Sequence, residues 1–288
     1  MKAFISAAGL IAILAVIAPS LSAQWPAYPT AGMPRTPDGK PNLAAPAPRT
    51  PDGKPDFSGL WRNVRIANPA GQRAGGPAPD PAPPAGGPPV ATFRDIGANI
   101  KEGLPFTPWA ADLVKQRRAE NDKNNPDARC LPMGLTQFHT HGQPRKMVQT
   151  KDLVVIIYEA NYGLRQIMMD GRPSPNNDPT PWWYGYSIGK WDEDTLVVET
   201  TNLRDGGYLD IWGSPLTDAA KVTERFRRPT YGTLEIDITI EDSKAYTKPF
   251  TVRVNQRLMV DEELIEFICL ENDRFTPYLN GNFRELAR

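Results

Sequence analysis

From residue 146 onward the chain reads as short strands with almost no room between them, and this pattern limits the fold more than any other feature. Segments at about 146–150, 153–159, 164–169, 184–191, 195–201, 222–228, 233–241, 250–258 and 264–271 are rich in β-branched, aliphatic and aromatic residues. Leu234, Ile236, Ile238 and Ile240 alternate with Glu235, Asp237, Thr239 and Glu241, the period of two that marks a sheet with one buried face. Connections such as Lys151-Asp152 and Asp192-Glu193-Asp194 leave space only for hairpins. Nine or ten strands joined in this way close on themselves or pack face to face. The fold expected is mainly β: a single antiparallel meander closing as a barrel, with a two-sheet β-sandwich as the alternative.

The front of the chain is organised differently. Met1-Lys2, an apolar run from Ala3 to about Ile17 and the small residues up to Ala23 have the three parts of a secretory leader, 1–23, in a run too short to span a bilayer comfortably. The protein is expected to be exported, periplasmic or extracellular, with no membrane span after the leader is removed. In an oxidising compartment Cys130 and Cys269 are expected to pair as a structural staple. Of 31 prolines, 17 fall between residues 24 and 93, so the excess is local. Residues 24–56 form an extended arm in which Pro34-Arg35-Thr36-Pro37-Asp38-Gly39-Lys40-Pro41 recurs as Pro48-Arg49-Thr50-Pro51-Asp52-Gly53-Lys54-Pro55; each Pro-Asp-Gly is a turn. A first strand is expected at 56–66. The Gly/Pro/Ala-rich stretch 67–91 has too few apolar anchors to offset its ordering entropy and reads as a flexible insertion in a single β domain, 57–288. One helix is expected, capped by Thr107, begun by Pro108 and burying Trp109, Leu113 and Val114 through about Ala119.

Lys plus Arg equals Asp plus Glu at 33 each, so no nucleic-acid footprint is present. Gly185-Tyr186-Ser187-Ile188-Gly189 has the spacing of a hydrolase elbow. The only histidines, His139 and His141, precede it, however, and the next segment is strand-like, so Ser187 reads as a small residue on a crowded strand. His139-Thr140-His141 lacks a third ligand at metal spacing and is expected to be two exposed histidines on a loop. No metal set, phosphate loop or cofactor motif is read.

Several motifs together resemble a family of exported bacterial proteins of unassigned function. They are Asp52-Gly53-Lys54-Pro55-Asp56-Phe57-Ser58-Gly59-Leu60-Trp61, Arg129-Cys130-Leu131-Pro132, and Tyr184 to Trp191 running into Asp194 to Thr200. Thr223 to Arg228, Tyr246 to Phe250, and Glu266-Phe267-Ile268-Cys269 before Glu271-Asn272 complete the set. The resemblance implies a secreted β-rich domain and a Cys130–Cys269 bridge, and carries no activity with it. Glu193 replaces the glycine usual in that hairpin. Tyr162, Tyr186, Leu216 and Lys221 stand where many such proteins have histidine, so no ligand set carries over. Gly59-Leu60-Trp61 ahead of a meander also resembles the lipocalin class of barrels, which makes the expected closure lipocalin-like.

A barrel of that class suggests a small-ligand-binding protein, its partner a small aromatic or sugar-like molecule. Tyr158, Arg165, Trp183, Tyr186, Trp191 and Arg225 are the candidate ligand contacts, because aromatic faces stack on such molecules and guanidinium groups orient them. The alternative is a hydrolase, lyase or isomerase working in the same cavity by carboxylate acid–base chemistry. Glu159, Glu199 or Glu224 would then carry the proton and Arg165 or Arg225 would polarise the substrate. For Arg165, Glu199 and Glu224 the periodicity alone does not decide between the barrel interior and the outer face.

Overall fold

Nine strands pair edge to edge until the last meets the first. The computed structural model describes residues 28–64, 80, 86–175, 180–269 and 271; the expected leader, 1–23, and most of the 67–91 insertion lie outside the described residues. The strands are β1 (Gly59–Asn63), β2 (Arg145–Gln149), β3 (Leu153–Tyr158), β4 (Leu164–Met168), β5 (Tyr186–Asp192), β6 (Thr195–Thr201), β9 (Lys221–Thr230), β10 (Thr233–Glu241) and β11 (Phe250–Met259). They close as β1-β11-β10-β9-β6-β5-β4-β3-β2, and a separate ribbon of β7 (Gly207–Tyr208) and β8 (Pro215–Leu216) interrupts the path from β6 to β9. The expected barrel is therefore present. Its one departure from a pure meander is the parallel pairing of β4 with β5, limited to Ile167–Ser187 and Met168–Ile188. The connection from 169 to 185 exceeds the dozen or so residues a crossover needs, so β5 returns in the direction of β4.

Register explains how the barrel is filled. Phe226 lies opposite Ile236 and Leu196, and Glu224 opposite Ile238 and Val198. Trp61 lies opposite Arg145 and Leu258. Side chains opposite one another share a face, so these all point inward. The interior holds Trp61, Arg145, Tyr158, Arg165 and Phe226, each almost fully buried. These side chains pack the barrel interior. Gly189 on β5 shows how tight it is, since a Cβ there would lie 2.3 Å from the Met169 sulfur.

The expected strand at 264–271 is absent: residues 262–268 are irregular. The reason is topological. β11 is already paired on one side with β10 and on the other with β1, so no sheet edge remains to receive another strand. This segment is held instead by the Cys130–Cys269 disulfide. Among the described residues no helix is long and apolar enough to cross a membrane.

Helix α1 (Pro108–Ala119) begins as expected, with the Thr107 hydroxyl accepting from the Ala110 amide. Its buried positions are Ala110 and Val114, whereas Trp109 is half exposed; the inward stripe runs one residue later than the sequence suggested. A second helix, α2 (Leu135–Thr140), occupies the segment expected to be a loop and is buried throughout. Its N-cap, Gly134, is required by close approach, because a Cβ there would lie 1.7 Å from the Tyr208 carbonyl oxygen.

Both repeats in the arm fold alike. Thr36 and Thr50 amides donate to the Lys40 and Lys54 carbonyls at 2.8 Å, and Arg35 and Arg49 donate to the Gly39 and Gly53 carbonyls. The second copy grips the β5–β6 turn: Arg49 pairs with Asp194 through both carboxylate oxygens, and Lys54 donates to the Glu193 carbonyl. The first copy sets Arg35 3.5 Å from Asp261. The described residues of the 67–91 stretch make contacts with the barrel. Asp80 pairs with Arg62, Val90 bridges Arg253 and Ala91 is buried; Val90 and Ala91 are its apolar anchors.

The disulfide closes a separation of 139 residues. Replacing both cysteines by serine is expected to lower unfolding free energy by about 4–5 kcal/mol in denaturant titrations, the chain-entropy value for a loop of that size. Glu193 holds a φ of 52° in the β5–β6 turn, a conformation that glycine adopts without steric cost. Glu193→Gly is expected to raise stability by about 0.5–1 kcal/mol in the same assay.

Candidate functional site

A sealed polar cluster in the barrel and a cavity in its wall beside α2 are candidate sites. The cluster forms because Arg165 on β4 and Glu224 on β9 occupy inward positions in otherwise apolar strands. Arg165 spans the carboxylate, donating through Nη1 to Glu224 Oε1 at 3.1 Å and through Nη2 to Oε2. It also donates to Ser187 and Thr200 at 3.1 and 2.9 Å, and those two hydroxyls bond each other at 2.9 Å. His139, delivered by α2, lies 2.7 Å from Glu224 through Nε2.

Electrostatics fixes the protonation of this group. Burial alone would raise the Glu224 pKa, but the Arg165 charge and the His139 hydrogen bond hold it down, to about 2. Burial lowers the His139 pKa, with Glu224 opposing it. Glu224 is thus a carboxylate and can only accept, so neutral His139 must donate from Nε2. The other ring nitrogen, Nδ1, is left without a partner. Arg145 closes the same end of the barrel without a carboxylate. It donates to the His139, His141 and Gln143 carbonyls at 2.7–2.8 Å, a cation set at the C-terminal carbonyls of α2. Burial lowers its pKa to about 10, so it stays charged.

The residues singled out from the sequence do not converge. Arg165, Glu224 and Tyr158 meet inside the barrel, with the Tyr158 ring 4.5 Å from Phe138. Glu199 is on the outer face beside Lys221, and Arg225 is also outside, paired with Asp192 at 2.7 Å. Glu159, its pKa raised by burial, accepts from Gln143. It lines a separate cavity of about 490 Å³ with Glu262, Glu263 and Glu266. The aromatic residues are equally dispersed. Trp191 stacks on Phe57 at the arm end of the barrel, Trp183 lies under Arg204, and Tyr186 sits edge-on to Trp182. Ser187 is a buried hydrogen-bonding residue, as expected of a small side chain on a crowded strand. The histidines are not an exposed pair: His139 is buried in the ion cluster, and His141 packs edge-on against Phe93 at 4.7 Å. Among the described residues no group of three or more His, Cys, Asp or Glu is arranged to hold a metal.

The cavity beside α2, about 450 Å³, was not foreseen. Val64, Val90, Ala91, Phe93 and Val254 form its apolar walls, with Arg62, Asn63, Thr92, Thr140 and Asn255 interspersed. It opens where β1 stops short along β11 and the 90–91 segment takes over the pairing. The sequence carried one usable signal, the Val90-Ala91 pair at the end of the Gly/Pro-rich stretch. Comparison with known protein families, curated proteins and solved structures gives no match.

Removing one member of a buried ion pair leaves the other uncompensated. Glu224→Ala is expected to cost about 3–5 kcal/mol, and the double change Arg165→Met with Glu224→Leu much less. The pH dependence has a definite sign. The lowered carboxylate contributes fully above about 4.5, its ordinary value, and that contribution is lost as pH falls through about 2. Loss from His139 adds below its ordinary value of 6.5. Acid unfolding followed by tryptophan fluorescence should show wild type losing stability across this range, and the double variant less steeply below pH 4.5.

Proposed function

We propose that this is an exported binding protein for a small, mostly apolar molecule, aromatic rather than sugar-like, seated in the cavity between β1, β11, the 90–93 segment and the end of α2. The observation that carries the reading is the cavity's size and lining. Ligand sites are typically about 300–1,000 Å³, walled by apolar groups with a few polar ones that orient the guest, and a volume of about 450 Å³ with five apolar and five polar side chains matches that description. The filled barrel interior supports a site in the wall over one at the centre. Export is supported by the leader pattern at 1–23 and by the Cys130–Cys269 disulfide.

Binding is favoured over acid–base catalysis by the position of the carboxylates. Among the described residues the lining has no Asp or Glu, and Glu159, Glu199 and Glu224 lie in three different places, the last locked to Arg165. Ala91→Trp, which fills the cavity from its wall, separates occupancy from folding. Native mass spectrometry of protein purified from its own host is expected to show a retained small molecule on the wild type and none on Ala91→Trp, with matching circular dichroism. A wild type that carries nothing, or a variant that keeps its passenger, removes the reading.

A further inference from the structure

Counting the hydrogen bonds of the cavity wall narrows the guest's chemistry. Arg62 is spent on Asp80, with bonds of 2.6 and 2.7 Å. Asn63 donates to the His141 carbonyl at 3.1 Å and accepts from Arg145 at 3.3 Å. Thr92 donates to the Asp95 carbonyl and accepts from its amide. Thr140 donates to the Gln137 carbonyl at 3.1 Å. Asn255 differs from all four: 5 % exposed, it has no hydrogen-bond partner at either Nδ2 or Oδ1. A buried carboxamide left unpaired on both sides destabilises the fold, so this residue is poorly explained as a support for β11.

Resting on the cavity reading above, we infer that Asn255 is the recognition group of the cavity and that the guest is a neutral molecule with an apolar or aromatic body and an amide edge: a primary carboxamide, lactam or imide. A carboxamide offers an N–H and a C=O side by side, and its complement is a group with the same two functions in the opposite order. Charge sets the neutrality, because among the described residues Arg62 is the only ionic side chain of the lining and Asp80 already pairs with it. Water does not reach the two polar atoms of Asn255, so the wall parts on binding.

Fluorine NMR titrations with 4-fluorobenzamide and methyl 4-fluorobenzoate test this, the ester keeping the ring and carbonyl while losing the N–H donors. Wild type is expected to bind the amide at least about tenfold more tightly than the ester. Asn255→Leu should weaken the amide by about that factor and leave the ester unchanged, and Asn255→Ala serves if the leucine variant does not fold. Equal affinities in wild type, or an amide preference that survives both substitutions, overturns the assignment. If the ester binds, is displaced by Ala91→Trp and the amide gains nothing, the cavity stands as a site while the amide class falls. If neither probe binds wild type, both fall.

Discussion

The ion pair of Arg165 with Glu224 is the constraint around which the barrel interior is arranged. Two charges in an apolar core are tolerated only when their remaining hydrogen-bonding positions are met, and that requirement recruits residues from three other elements. Ser187 and Thr200 bring β5 and β6 to the guanidinium, and His139 brings α2 to the carboxylate. Arg145 then holds the carbonyls at the end of α2. A barrel of purely aliphatic strands could slide by two residues with little penalty, but this one has a fixed register because a shift would separate the charges. The same requirement explains why a six-residue helix, too short to be stable alone, is ordered and buried.

The fold was more legible in the sequence than the site. Alternation at Leu234, Ile236, Ile238 and Ile240 reports local geometry directly, and the hairpin turns leave few ways to join the strands. The same alternation could not tell whether Arg165, Glu199 and Glu224 face in or out, because side is set by partners far away in the chain: Glu199 meets Lys221 outside, and Glu224 meets Arg165 inside. α2 was hidden because Leu135 to Thr140 is shorter than two turns and starts from a glycine cap without a side-chain signal. The cavity was hidden for a related reason. Its walls come from β1, β11, the residues after a proline-rich stretch and the end of α2, a combination visible only once the barrel has closed.

The arm shows how a repeat can be structural without being a solenoid. Each copy folds the same turn on its own internal bonds and presents an arginine to an aspartate of the barrel, Arg49 to Asp194 and Arg35 to Asp261. Exposed pairs of this kind contribute little each. Phe57, buried against Trp191 and Phe226, supplies the apolar anchor at the end of the arm, and the repeats set the path by which the chain reaches it.

The parallel contact between β4 and β5 leaves the cylinder with one thin hoop. Every other neighbour is joined along a longer ladder, whereas these two meet at only two residue pairs. Tyr184 sits just before β5, its ring 5.3 Å from Phe138, and Phe138 in turn touches Tyr158 beside the buried charges. Thermal breathing of the cylinder will concentrate at this joint. Solvent isotope would then penetrate the interior sideways through a file of aromatic rings, and the amides of β4 and β5 would exchange ahead of those in β9 and β10.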